Sequence, residues 1–191
     1  MNKTVPAPQV INDVETPIII RALTRQLDSC DAIFENLSQE QYGRKIPFQA
    51  RPEKLKSSVG EHLRHVLEFI DNVVCTPGDR EVLDYDKRER NGKIQTDIIY
   101  AQETTVRLKS QLSDISIERL TSELGILEAV DVDHDDLPQK SSLGRELLFA
   151  VSHTEHHFYT ILERCDEMGI ALPDDFGVAT STLRHLKQHQ I

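Results

Sequence analysis

The chain has 191 residues, a formal net charge of −10, and is 38% hydrophobic and 28% charged, an ordinary globular balance that fits one domain with appendages. So acidic a surface repels phosphate backbones and anionic lipid, which argues against nucleic acid and membrane surfaces as partners. No apolar run approaches the length needed to span a bilayer.

Residues 1–15 hold two prolines and no periodicity and are predicted to form a flexible arm, with 16–191 as the folded domain. The opening segment lacks a continuous apolar stretch, so no signal peptide is expected. Cys30, Cys75 and Cys165 are odd in number and far apart, which predicts reduced, buried thiols in a cytoplasmic protein.

The first helix is predicted to open with Thr16 as N-cap and Pro17 at the first helical position. Ile20, Leu23, Leu27, Cys30, Phe34 and Leu37 then alternate steps of three and four, a helical stripe. Residues 38–56, with Gly43, Pro47 and Pro52, read as a loop. Ser58-Val59-Gly60-Glu61 has the form of a capping box opening the second helix. Its stripe is Val59, Leu63, Val66, Ile70 and Val73, and Thr76-Pro77-Gly78 is predicted to stop it. Residues 78–96 are polar. The third helix is expected from about Thr96 to Asp114, with Ile98, Thr105, Leu108 and Leu112 inward. Leu120, Leu124, Val130 and Val132 suggest a short hairpin between the third and fourth helices. The fourth helix runs from Ser141 or Ser142 to Met168, with Gly169 at its stop. Leu143, Leu147, Ala150, Val151, Phe158, Ile161 and Cys165 line it. A short helix is expected near 180–188. Four such stripes predict an all-α four-helix bundle.

Seven of the eight histidines fall on or near these helices. His153 and His157 are four apart, hence one above the other on one helical face, where two imidazoles can converge on one cation. His156 points outward. Glu146, seven residues before His153, shares its column and is a candidate acceptor for an imidazole N–H. A third ligand has to come from another helix. On the second helix His62 lies at the edge of the stripe and His65 on its flank, so periodicity slightly favours His62 without deciding between them. No Glu follows His153, so the HExxH pattern is absent.

Three segments together resemble the DinB/YfiT-like superfamily: Ser58-Val59-Gly60-Glu61-His62-Leu63-Arg64-His65-Val66, Tyr85-Asp86-Lys87-Arg88-Glu89-Arg90, and Gly144 to His157. Phe176-Gly177-Val178-Ala179 followed by Ser181-Thr182-Leu183 strengthens the likeness to one bacterial branch. The resemblance covers roughly residues 16–187 and implies an up-down-down-up bundle. It also implies a divalent metal, zinc or nickel, held by His65 of the second helix and by His153 and His157 of the fourth. His65 matches the ligand position and His62 an aliphatic one, so the resemblance selects His65, with His62 as the alternative. The resemblance implies thiol-dependent transfer and isomerisation among the superfamily's activities, with some members candidates for metal-dependent hydrolysis.

Three neutral imidazoles leave an ion's charge intact and coordination positions open, as in catalytic zinc sites. Such an ion lowers the pKa of a bound water or holds a thiol as thiolate. Glu146, Asp86 and Glu89 are candidate bases, and Arg88 or Arg145 could hold an anionic group. The expected function is therefore a metal-dependent transferase or hydrolase acting on a small molecule, with a low-molecular-weight thiol as candidate co-substrate and homodimerisation plausible. The alternative is a non-catalytic helical module that binds a small molecule or a partner, with a structural metal or none. Asp131-Val132-Asp133-His134-Asp135-Asp136 resembles a calcium loop, but it lacks the Gly at position six and has Ser142 at the place of the bidentate Glu. It reads as an acidic loop.

Overall fold

The computed structural model describes residues 16–75, 82–87, 89–133 and 137–189. The arm expected over 1–15, the Thr76-Pro77-Gly78 stop, Arg88 and part of the acidic run 131–136 lie outside the described residues.

The predicted stripes become four long helices. α1 (Ile18–Asn36) buries Ile20, Leu23, Leu27, Cys30 and Ile33. After the short α2 (Gln39–Gly43), β1 (Ile46–Pro47) and β2 (Lys56–Ser57) pair antiparallel. α3 (Val59–Val74) opens on the predicted capping box. Ser58 Oγ accepts from Glu61 N–H at 3.2 Å, and Glu61 Oε2 accepts from Ser58 N–H at 3.0 Å, so two of the free donors of the first turn are satisfied. Then come β3 (Val82–Asp84), the one-turn α4 (Gly92–Thr96) and α5 (Ile98–Ser113), which Asp97 caps by accepting from Tyr100 N–H. α6 (Ile117–Leu120), β4 (Glu123–Leu127) and β5 (Gln139–Ser142) lead into α7 (Leu143–Glu167), and α8 (Thr180–His189) ends the described chain.

α1 packs on α5 and α7, and α3 packs on the same two helices. Leu27, Leu63, Ile70, Leu108, Leu112, Leu147 and Ile161 are fully buried between them. Among the described residues no helix is long and apolar enough to cross a membrane.

The fold is mostly helical rather than all-α. β3, β4 and β5 form a small sheet in that order, with β3 parallel to β4 and β4 antiparallel to β5. The expected hairpin exists, but Val130 and Val132 are exposed loop residues and Leu120 ends α6. β5 carries Gln139-Lys140-Ser141-Ser142, which offers no apolar alternation to read. α1 starts one residue later than expected, with Pro17 as N-cap and no side-chain cap, a shift within the usual play of helix ends. Residues 38–56 are not wholly loop, since Ser38 caps α2 with a second capping box. Cys30 and Cys165 are buried, but Cys75 is exposed because it is the C-cap residue of α3, beyond the last buried turn.

Candidate metal centre

The side-by-side packing of α3 and α7 brings the predicted histidines together. His65 Nε2 and His153 Nε2 stand 2.9 Å apart across the two helices. One ring nitrogen from each of His65, His153 and His157 lies within 4.8 Å of the other two. The ring centroids are 4.5 to 4.9 Å apart, and all three rings are half-buried. A tetrahedral zinc with Zn–N near 2.0–2.1 Å holds its ligand nitrogens about 3.3 Å apart, so small ring movements suffice to close on an ion. Burial, and then the neighbouring His65, His153, His62 and His156, push His157 down to about 3. At neutral pH it is therefore an uncharged imidazole with a lone pair to give, the form a metal ligand needs. The donor set fits a divalent cation such as zinc or nickel.

His62 lies one turn earlier on α3 and also faces α7. Its Nδ1 is 3.1 Å from His157 Nδ1, and its Nε2 is 2.9 Å from Ser57 Oγ of β2. Burial, then the charge of Arg164, hold His62 below the usual imidazole range, with Glu61 opposing. His156 is exposed, as its helical position predicts.

Glu146 is completely buried in the first turn of α7. It accepts from Tyr85 Oη at 2.5 Å, from Arg145 Nη1 at 3.0 Å and from Ser141 Oγ. Seven helical residues rise about 10.5 Å, so its carboxylate stands about two turns below the His153 ring. The two are joined by stacked aromatics. The Tyr85 ring stacks on Phe69 at 4.7 Å, and Phe69 stacks on His153 at 4.2 Å, with interplanar angles of 14° and 11°. Burial, then the Glu146 carboxylate, raise the Tyr85 hydroxyl far above the usual phenol range, so it stays a donor.

Asp86 is exposed just after β3, and its Oδ2 accepts from Ala129 N–H at 2.7 Å. Glu89 is exposed. Arg145 reaches over the Phe149 ring, 5.2 Å from its centroid. Phe69 and Ser57 border the site without belonging to the expected set. Phe69 follows His65 by four residues, the spacing that places it behind the ligand on the same face. Ser57 carried no comparable signal.

A mostly helical fold with three imidazoles converging from two long helices defines the class of protein. Residues 22–161 match the DinB superfamily, and the chain belongs to it. It is also 35% identical over 108 residues to FK506-binding protein 5 of Rhizopus delemar, a match that takes in 56% of this chain. The match spans 28% of the length of that curated relative. No solved structure matches the chain.

Proposed function

We propose that this protein is a metal-dependent enzyme of the thiol-dependent transferase or hydrolase type, acting on a small molecule through zinc or nickel held by His65, His153 and His157. The four long helices serve it as the up-down-down-up bundle of the superfamily. The observation that carries this reading is the approach of three ring nitrogens to within 4.8 Å of one another, from residues far apart in the chain. When bound, the ion supplies Lewis acidity that activates a water or a thiol near neutral pH. The chain's own residues do the positioning. His157 offers an unprotonated ring, Phe69 backs the His153 ring, and Glu146 anchors Tyr85 behind Phe69. The name of the fungal relative speaks of FK506 binding by that protein, and this reading rests on the histidines instead.

One observation favours the second reading, a non-catalytic module with a structural metal. The carboxylates of Glu146 and Asp86 both have hydrogen-bonding commitments, to Tyr85, Ser141 and Arg145 and to Ala129 N–H respectively. The deciding experiment is metal analysis of untagged protein, with cobalt(II) substitution and added azide or small thiols. About one equivalent of metal whose cobalt spectrum shifts with added thiol supports the enzyme. Metal blind to every added ligand supports the structural role. No bound metal sinks both forms of the site. A panel of thiols and electrophiles then separates transferase from hydrolase.

A further inference from the structure

The pair His62 and His157 is not explained by a three-histidine ligand set. His62 stands outside the group of His65, His153 and His157 whose ring nitrogens lie within 4.8 Å of one another, so its 3.1 Å contact with His157 is a hydrogen bond, in which one of the two Nδ1 atoms carries the proton and the other accepts it. His62 is held from its other side, where its Nε2 meets Ser57 Oγ at 2.9 Å. Ser57 belongs to β2, and β2 is paired with β1. The β1 carbonyls of Ile46 and Pro47 accept from the guanidinium of Arg164, at 3.3 and 3.1 Å. Arg164 is 2% exposed on α7 and stacks over the Phe48 ring, 4.5 Å from its centroid. The short hairpin is thereby tied to α7, the helix that carries His157, and it delivers a hydroxyl to the back of His62.

We propose that His62 is a positioning residue, not a ligand: it accepts the Nδ1 proton of His157, fixes that ring's tautomer and orientation, and leaves Nε2 of His157 as the atom given to the cation. The assignment rests on the reading of His65, His153 and His157 as the ligand set. Its hydrogen-bond directions are consistent along the whole chain of contacts. His157 carries its proton on Nδ1 and donates it to His62 Nδ1. His62 then carries its own proton on Nε2 and donates to Ser57 Oγ. In each of these two contacts one donor thus meets one acceptor. Ligating histidines generally give their second N–H to a carboxylate, a carbonyl or water. Here an imidazole takes that place, and the serine of the hairpin orients it in turn. His62 thus has a role of its own, although it competes with His65 in the sequence.

The test uses the metal alone. Metal-stripped full-length protein is titrated with cobalt(II), following the visible d–d bands and measuring affinity by chelator competition. Wild type, His62→Ala, His62→Gln, Ser57→Ala and His157→Ala are compared. The proposal expects one equivalent in His62→Ala with affinity reduced about 10–100-fold and shifted bands. Affinity is largely recovered in His62→Gln, whose amide oxygen can accept the same N–H, and Ser57→Ala shows a smaller loss. His157→Ala loses the site. Unchanged affinity and spectrum in His62→Ala would overturn the positioning role while leaving the ligand set intact. Complete loss of cobalt in both His62→Ala and His62→Gln would make His62 a ligand and also overturn it. If wild type binds no cobalt, the ligand set itself fails, and this assignment falls with it. If His62→Ala does not fold, the comparison of His62→Gln and Ser57→Ala with wild type decides, because equal affinity and equal bands in all three with no sensitivity to Ser57 would refute the relay.

Discussion

Tyr85 donates its hydroxyl to Glu146 at 2.5 Å, and both side chains are buried. The carboxylate also takes Ser141 and Arg145, so three donors from β5, α7 and the end of β3 converge on it. Glu146→Ala strips all of them of an acceptor and is expected to destabilise the fold by about 3 kcal/mol, since a buried polar group left unpaired costs its desolvation. Tyr85→Phe leaves the carboxylate two of its donors and is expected to cost about 1–2 kcal/mol. Urea denaturation checks both. A Glu146→Ala chain as stable as wild type would show that the buried carboxylate is not the anchor of this corner.

Any ligand bound by the folded state and not by the unfolded chain raises stability by mass action. A divalent ion held at one hundred times its dissociation constant adds about 2.7 kcal/mol. In a chain of this size that is a rise of roughly 5–10 °C in Tm. Zinc is therefore expected to raise the Tm of wild type and of His156→Ala alike, because His156 is exposed. His153→Ala and His157→Ala are expected to show no rise. A Tm shift that survives in His153→Ala would place the ion elsewhere.

Much of this site was legible in the sequence, and the reasons separate cleanly by length scale. The spacing of His153 and His157 and the capping box at Ser58 and Glu61 are local properties of a helix, and both are realised. The choice between His62 and His65 was not local. Both residues face α7, and which ring meets His153 depends on how far along each other the two helices pack. Angular position on one helix does not contain that information, so periodicity leaned toward His62 and only resemblance to relatives selected His65. Glu146 shares the helical column of His153, yet two turns of rise give its carboxylate to Tyr85 instead. α2, α4 and β3 are too short for any period to register.

The thiols should divide sharply. Burial pushes Cys165 up to about 12 and Cys30 higher still, so at pH 8 neither has appreciable thiolate and neither is reached by reagent. Cys75 is exposed, but burial of part of its surface and then Asp71, which its thiol meets at 3.1 Å, raise its pKa too. A disulfide-exchange reagent is expected to modify one cysteine in the native protein and three in denaturant. Removing the negative charge with Asp71→Asn lowers the Cys75 pKa, with Arg107 still nearby to favour the thiolate. At fixed pH the rate should therefore rise severalfold. A slower reaction in Asp71→Asn would contradict the electrostatic account.

Two glycines with nearly the same backbone angle allow strain and crowding to be separated. Gly169, at φ +70°, closes α7 with open space where a Cβ would go, so Gly169→Ala costs only the left-handed conformation, about 1 kcal/mol. Gly177 has φ +71°, but a Cβ there would sit 2.9 Å from the backbone C and O of Phe158 and from N of Tyr159. These are main-chain atoms of a packed helix and cannot turn aside as a side chain would, so Gly177→Ala has to lift the segment away. That segment is held by Phe176 stacked on Phe158 at 4.9 Å and by Thr180, whose N–H and hydroxyl both donate to Glu155. Gly177→Ala should thus expose residues 170–180 to limited proteolysis, and Gly169→Ala should not. Metal binding should survive in both, because His153 and His157 are fixed by the packing of α3 on α7 and not by the tail. Loss of metal in Gly177→Ala would mean that the contact beside His157 extends further into the site than the hydrogen bonds and stacks of α7 imply.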